Sequence, residues 1–151
     1  DRQRAAWRLR TIGLVFQNSG LVPELTLRDN IALPLELLGT GRRDALRRAD
    51  RLAEILDLGE SSKRRPSEVS GGQAQRAAVG RALAHHPTVV LADEPTGALD
   101  TTNRHAVIGL LDDLVRAEGS TLVMVTHDEH TLPENARIIR LADGRIVGGA
   151  A

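Results

Sequence analysis

A mixed α/β layer on a mainly parallel sheet, interrupted by a helical insertion, is the architecture this sequence predicts. Three observations point there. Strand patterns alternate with helix patterns through the second half, the order that parallel sheets with packed helices require. Val89-Val90-Leu91-Ala92 and Thr121 to Thr126 are short apolar runs, as expected of strands covered on both faces. Residues 27–58 carry helical periodicity between the first strand and the rest.

The elements follow in order. Residues 9–16 (LRTIGLVF) read as a strand, broken by Gln17-Asn18-Ser19-Gly20. Thr26-Leu27-Arg28-Asp29 has the form of a capping box, so a helix starts at Leu27, and Pro34 should kink or restart it. Gly39-Thr40-Gly41 ends it. A second helix runs from about Arg42 to Leu58, with Leu46, Ala49, Leu52, Ala53 and Leu56 on one face. Arg43, Arg47, Arg48 and Arg51 point elsewhere and read as a solvated face. Residues 59–68, with Pro66, suit a loop. Ser70 caps a helix that runs through Ala84, and Gln73 is placed to reach back to the cap. His85-His86-Pro87 ends that helix. Residues 102–118 form another, with Val107, Leu110, Leu111 and Leu114 on one stripe. Asp143-Gly144 is a favoured two-residue turn and makes a hairpin of residues 137–147.

Composition narrows the class. The 151 residues suit one domain with a real core. Twenty basic residues balance twenty acidic ones, and Trp7 and Phe16 are the only aromatics, so neither a polyphosphate-binding surface nor a base-stacking platform is indicated. There is no cysteine, which excludes disulfides and thiolate metal sites. No apolar run approaches a membrane span, and the charged start Asp1-Arg2-Gln3-Arg4 is unlike a signal peptide. A first residue other than Met leads to the expectation that the chain begins inside a longer one.

The chemistry-bearing residues cluster at strand ends. Asp93-Glu94 follows four apolar residues directly. Charges are costly to bury, so this pair belongs at the carboxyl edge of its strand, where α/β sheets bind ligands. One carboxylate can face hydrated Mg²⁺, and the other can serve an attacking water as general base. Either could also be an ordinary acidic strand end. Ser70-Gly71-Gly72-Gln73 opens a helix whose amides and dipole suit a phosphate, or simply makes a capped turn. His127 follows a strand and can donate to a phosphate oxygen, and Gln17 can hold a water or metal through its amide oxygen. His85, His86, His105 and His130 read as surface or capping residues.

Taken together and in order, these segments resemble the ABC transporter ATPase family. Val69-Ser70-Gly71-Gly72-Gln73 is similar to the family signature, Val89 to Glu94 to the Walker B strand with its glutamate, and Gly97-Ala98-Leu99-Asp100 to the D-loop. Val125-Thr126-His127-Asp128 is similar to the H-loop and Val15-Phe16-Gln17 to the Q-loop. Residues 91–97 and the segment from Gly20 to Gly39 look like the lipoprotein-release and macrolide-export subgroup, although Asn is frequent there at the place of Ala98.

The resemblance implies a P-loop NTPase core with a helical signature subdomain, incomplete at its N-terminus. Residues 9–86 would hold the Q-loop, the insertion and the signature helix, and 87–151 the Walker B strand, D-loop, H-loop and hairpin. It implies ATP and Mg²⁺, with Glu94 activating water, Asp93 and Gln17 at the metal, and His127 on the γ-phosphate. Ser70, Gly71, Gly72 and Gln73 would act in trans on ATP held by a second ATPase domain, head to tail, and Asp100 would also bind ATP. A permease would dock near residues 17–38 at the cytoplasmic membrane face, and no nucleic acid is implied. The family's G-x-x-x-x-G-K-[ST] loop is absent from these residues, so the chain alone is expected to be inactive and poorly stable. A degenerate subunit acting through its signature helix, or a non-transport ABC ATPase, is the alternative.

Overall fold

The computed structural model describes residues 1–97, 99–128, 132–133 and 136–150; backbone alone is described at 2, 101–102 and 149–150. Ala98 and His130, both named above, lie outside the described residues.

The chain opens with α1 (Arg2–Thr11), and β1 (Ile12–Val15) follows without a break. Residues 9–11, read as strand, are therefore helix. Arg, Gln, Ala and Leu are strong helix formers, and the exposed α1 shows no apolar stripe that would have marked it. Next come α2 (Leu27–Leu37) and α3 (Arg42–Ile55), two 3₁₀ turns (Gly59–Lys63 and Pro66–Glu68), and α4 (Gly71–Leu83). Then β2 (Val89–Asp93), α5 (Thr101–Ala117) and β3 (Thr121–Val125) alternate, and the hairpin β4 (Ile138–Ala142) and β5 (Arg145–Ala150) closes the chain.

The sheet is parallel, in the order β1-β2-β3. The hairpin forms a separate antiparallel pair, and its turn residues Asp143 and Gly144 both take positive φ, 49° and 72°, as a tight primed turn demands. Pro34 sits buried inside α2, which continues through it rather than restarting. Thr26 caps α2 by accepting from the Asp29 amide at 3.1 Å, and Asp29 answers through the Thr26 hydroxyl rather than its amide.

One core joins the insertion to the sheet. Leu27 and Ile31 from α2, Leu52 and Leu56 from α3 and its cap, Leu83 from α4, Val90 from β2 and Leu111 from α5 are all fully buried. Each such side chain contributes about 1.5–3 kcal/mol. Helix α4 lies so close on β1 that a Cβ at Gly13 would come within 2.2 Å of the Ala82 carbonyl oxygen.

Two expectations need correction. Strands β2 and β3 are covered on one face only. Val90 and Ala92 point into the core, while Leu14, Leu91 and Val123 stand side by side in register on the other face, 43%, 37% and 51% exposed. Among the described residues the helices that pack on the sheet do so from one side. Arg48, read as part of a solvated face, is instead drawn inward. Its guanidinium meets Glu118 beyond α5 at 2.5 Å and the Ala84 carbonyl at 3.4 Å.

Candidate functional site

The carboxyl ends of β2 and β3 bring Glu94 and His127 together. Asp93 is the last residue of β2. Glu94 leaves the strand in the left-handed region, φ 41°, with its amide donating to the Val125 carbonyl of β3 at 2.9 Å. That conformation is costly for a residue with a Cβ, and such residues gather at functional sites. It aims the carboxylate at His127, whose Nδ1 lies 2.7 Å from Glu94 Oε1. Asp93 and Glu94 thus leave the strand differently and are suited to separate tasks.

Gln17 sits in a turn two residues beyond β1. Its side chain covers Gly97, where an added Cβ would meet Gln17 Nε2 at 2.7 Å. The Gly97 amide returns to the Glu94 carbonyl at 3.0 Å, so the amide of Gln17 lies over the turn that carries Glu94. Gln17, Glu94 and His127 therefore belong to one edge of the sheet.

Ser70 to Gln73 form a second group. The Ser70 hydroxyl accepts from the Gln73 amide at 3.2 Å, and the Gln73 side-chain oxygen accepts from the Ser70 amide at 3.0 Å, a complete capping box. Gln73 Nε2 also donates to the Ser61 hydroxyl. The glycines make a close fit: a Cβ at Gly72 would meet Asn103 Oδ1 at 2.9 Å, and one at Gly71 would touch Leu99. Asp100 caps α5, accepting from the Asn103 amide at 3.1 Å and from Asn103 Nδ2 at 2.6 Å. Ser70, Gly71 and Asp100 are exposed on this surface.

Several residues in these contacts carried no signal in the sequence. Arg104 donates to the Leu99 carbonyl at 2.9 Å and to Asp128 at 3.1 Å, tying the segment after β2 to that after β3. Gln75 and Arg81 bond to loop backbone 59 and 62 residues away, which no local pattern reveals, and Asn30 bonds to Val22 eight residues back. His85, read as surface or capping, has both ring nitrogens buried without a hydrogen-bond partner. Burial lowers its pKa; the Ile12 backbone opposes this weakly, short of hydrogen-bond geometry, and His86 adds to the lowering. His86 is exposed and pairs with Glu118.

An open groove of about 590 Å³ runs beside the Gln17 loop, from α1 and the outer face of β1 and β2 to α2 and α4; Leu9, Leu14, Phe16, Pro34, Arg81 and Leu91 are among the residues that line it. A hollow of about 740 Å³ at α1 is lined by none of the candidate residues. Among the described residues no three His, Cys, Asp or Glu side chains form a metal cage. No described helix is long and apolar enough to cross a membrane.

A family profile described as "ABC transporter" matches residues 1–97. An uncharacterized ABC transporter ATP-binding protein of Thermotoga maritima is 45% identical over 148 residues, 98% of this chain and 63% of its own length. The lipoprotein-releasing system ATP-binding protein LolD of Syntrophus aciditrophicus is 44% identical over 147 residues, 97% of this chain and 66% of its own. The chain thus spans 63% and 66% of the length of these two relatives. Among solved structures, the ATP-binding cassette MJ0796, as a dimer in a post-hydrolysis state with ADP and Pi, superposes with a TM-score of 0.87 at 36% identity. That match covers 99% of this chain and 66% of the other.

Proposed function

Because the chain belongs to the ABC transporter family of ATP-binding proteins, we propose that it is the ATP-hydrolysing part of a transporter that drives export or lipoprotein, peptide or drug translocation through a partner permease. The observation that carries this reading is the Glu94–His127 pair at the edge of β2 and β3, with Asp93 one residue before it. Glu94 orients and deprotonates the water that attacks the terminal phosphate. Because Nδ1 of His127 is engaged with Glu94, its Nε2 is the ring atom that holds that phosphate. Catalysis of this kind works by positioning and electrostatics.

Asp93 and Gln17 offer hard oxygen donors, and the lack of an acidic cage among the described residues suits Mg²⁺, which takes one or two carboxylates and fills its shell with water and phosphate oxygens. Bound there, the ion would supply charge neutralisation on the phosphates. Ser70, Gly71, Gly72 and Gln73, with Asp100 beside them, form a surface for the nucleotide of a second ATPase domain in a head-to-tail dimer. The dimeric MJ0796 cassettes support that arrangement.

The permease docks near residues 17–38, where the groove beside Gln17 supports such a contact, and the protein works at the cytoplasmic face of a membrane. Relatives of the lipoprotein-releasing type support the class of cargo. Balanced charge supports a role without nucleic acid. The 151 residues form one domain and hold no G-x-x-x-x-G-K-[ST] string, so alone they turn over little ATP. Phosphate release by the complete ATPase with its permease, set against its Glu94→Gln variant, tests the reading. Equal rates for the two proteins would overturn it.

A further inference from the structure

The loop that carries Gln17 is held by its backbone, and the side chains that hold it come from helices. Gln75 on α4 is 2% exposed, and its Nε2 donates to the Phe16 carbonyl at 2.9 Å. Further along α4, Arg81 donates through both terminal nitrogens, to the Ser19 carbonyl at 2.9 Å and to the Gly20 carbonyl at 2.6 Å. These three acceptors bracket Gln17. Beyond them, buried Asn30 on α2 accepts from the Val22 amide at 2.7 Å and donates to the Val22 carbonyl at 3.0 Å.

The Arg81 contacts fall where the backbone most needs support. Ser19 and Gly20 are both left-handed, φ 53° and 57°, and Ser19 has no glycine freedom to ease it. Arg81 is also an expensive residue to keep there. Burial lowers its pKa, and carbonyl dipoles stand where a carboxylate would normally compensate the charge. An apolar side chain there would avoid the desolvation cost but would leave both carbonyls without this donor. A planar fork that meets two carbonyls at once fixes a position.

The two ends of α4 then connect two groups of candidate residues. Its first turn is the Ser70–Gln73 capping box. Its later turns grip the loop whose Gln17 side chain covers Gly97, beside the Glu94 turn. We infer that Arg81 and Gln75 are positioning residues for Gln17: they lock loop 16–20 to α4 and so fix where the Gln17 amide lies over the Gly97 turn. This rests on the ATPase reading above.

The test uses the complete ATPase with Arg81→Met, Gln75→Met and Arg81→Lys. Amide exchange at residues 17–20 is expected to quicken roughly tenfold in the two Met variants while α4 amides keep their protection. The kcat for ATP is expected to fall roughly tenfold with KM changed by less than about twofold, the pattern of lost positioning rather than lost binding. Arg81→Lys recovers only part of both, since one ammonium cannot reproduce the fork. Unchanged exchange and kcat would overturn the inference. So would a kcat loss accompanied by equal loss of protection throughout α4, which marks a general loss of structure. Absence of turnover in the unsubstituted protein would instead overturn the ATPase reading, and the exchange rates would still decide the lock.

Discussion

His127 Nδ1 lies 2.7 Å from Glu94 Oε1, two side chains 33 residues apart joined across the ends of adjacent parallel strands. The pair makes a definite prediction. If the ATPase reading holds, Glu94→Gln in the complete protein keeps the shape and removes the proposed base, so kcat is expected to fall by about 10²-fold or more. Nucleotide affinity, read by equilibrium dialysis, stays within about threefold, because the substitution removes a transition-state interaction rather than a binding one.

The backbone at Glu94 can be tested separately from its carboxylate. With φ at 41°, this position favours glycine over any residue with a Cβ. Glu94→Gly is therefore expected to be more stable than Glu94→Ala by about 1 kcal/mol, measured as urea midpoints, although both lose activity. Equal midpoints would mean that the turn relaxes without strain.

Acid is expected to destabilise the fold through two groups. Burial holds the pKa of His85 below its ordinary 6.5, so the unfolded chain gains a proton there that the folded chain refuses. That contribution is present above 6.5 and is lost as pH falls below it. Burial alone would raise the pKa of Glu118, but hydrogen bonds from Arg48 and His86 outweigh it and hold the carboxyl below its ordinary 4.5. Its contribution is present above 4.5 and is lost as pH falls through the lower folded value. The urea midpoint should therefore drop as pH falls below 6.5, and His85→Leu should flatten that fall. Glu118→Gln should lower the midpoint near neutral pH, where the carboxylate contributes, and flatten the fall below 4.5.

Two glycines should respond in opposite ways. Gly97→Ala pushes against the mobile end of Gln17, so its cost to folding is small, below about 1 kcal/mol, while turnover falls. Gly13→Ala drives a methyl into the Ala82 backbone, and a loss of about 1–3 kcal/mol of unfolding free energy is expected, read from urea denaturation. A stable Gly13→Ala protein would show that α4 can lift from β1.

Local patterns account for what was legible beforehand. The Ser70–Gln73 box, the Asp143-Gly144 turn and the buried face of α3 each depend on residues a few positions apart; the box and the turn appear as read, and α3 buries Ala49, Leu52 and Ala53 as expected but also Ala45, with Leu46 half-buried. The strands β2 and β3 were placed correctly, but an apolar run does not say how many faces are covered. Arg48 was misread because its partner Glu118 lies 70 residues away. The grips of Gln75 and Arg81 were invisible for a related reason, since their acceptors are backbone carbonyls that any sequence possesses. Of the candidate site, the chain order of Gln17, Glu94 and His127 was legible, but their meeting at one sheet edge depends on strand order.

The row of Leu14, Leu91 and Val123 on the uncovered face of the sheet bears on the life of the chain in a cell. Apolar surface of this kind is what chaperones hold and proteases sample. Whatever layer packs on it buries apolar side chains from three strands at once, each contributing about 1.5–3 kcal/mol when fully covered.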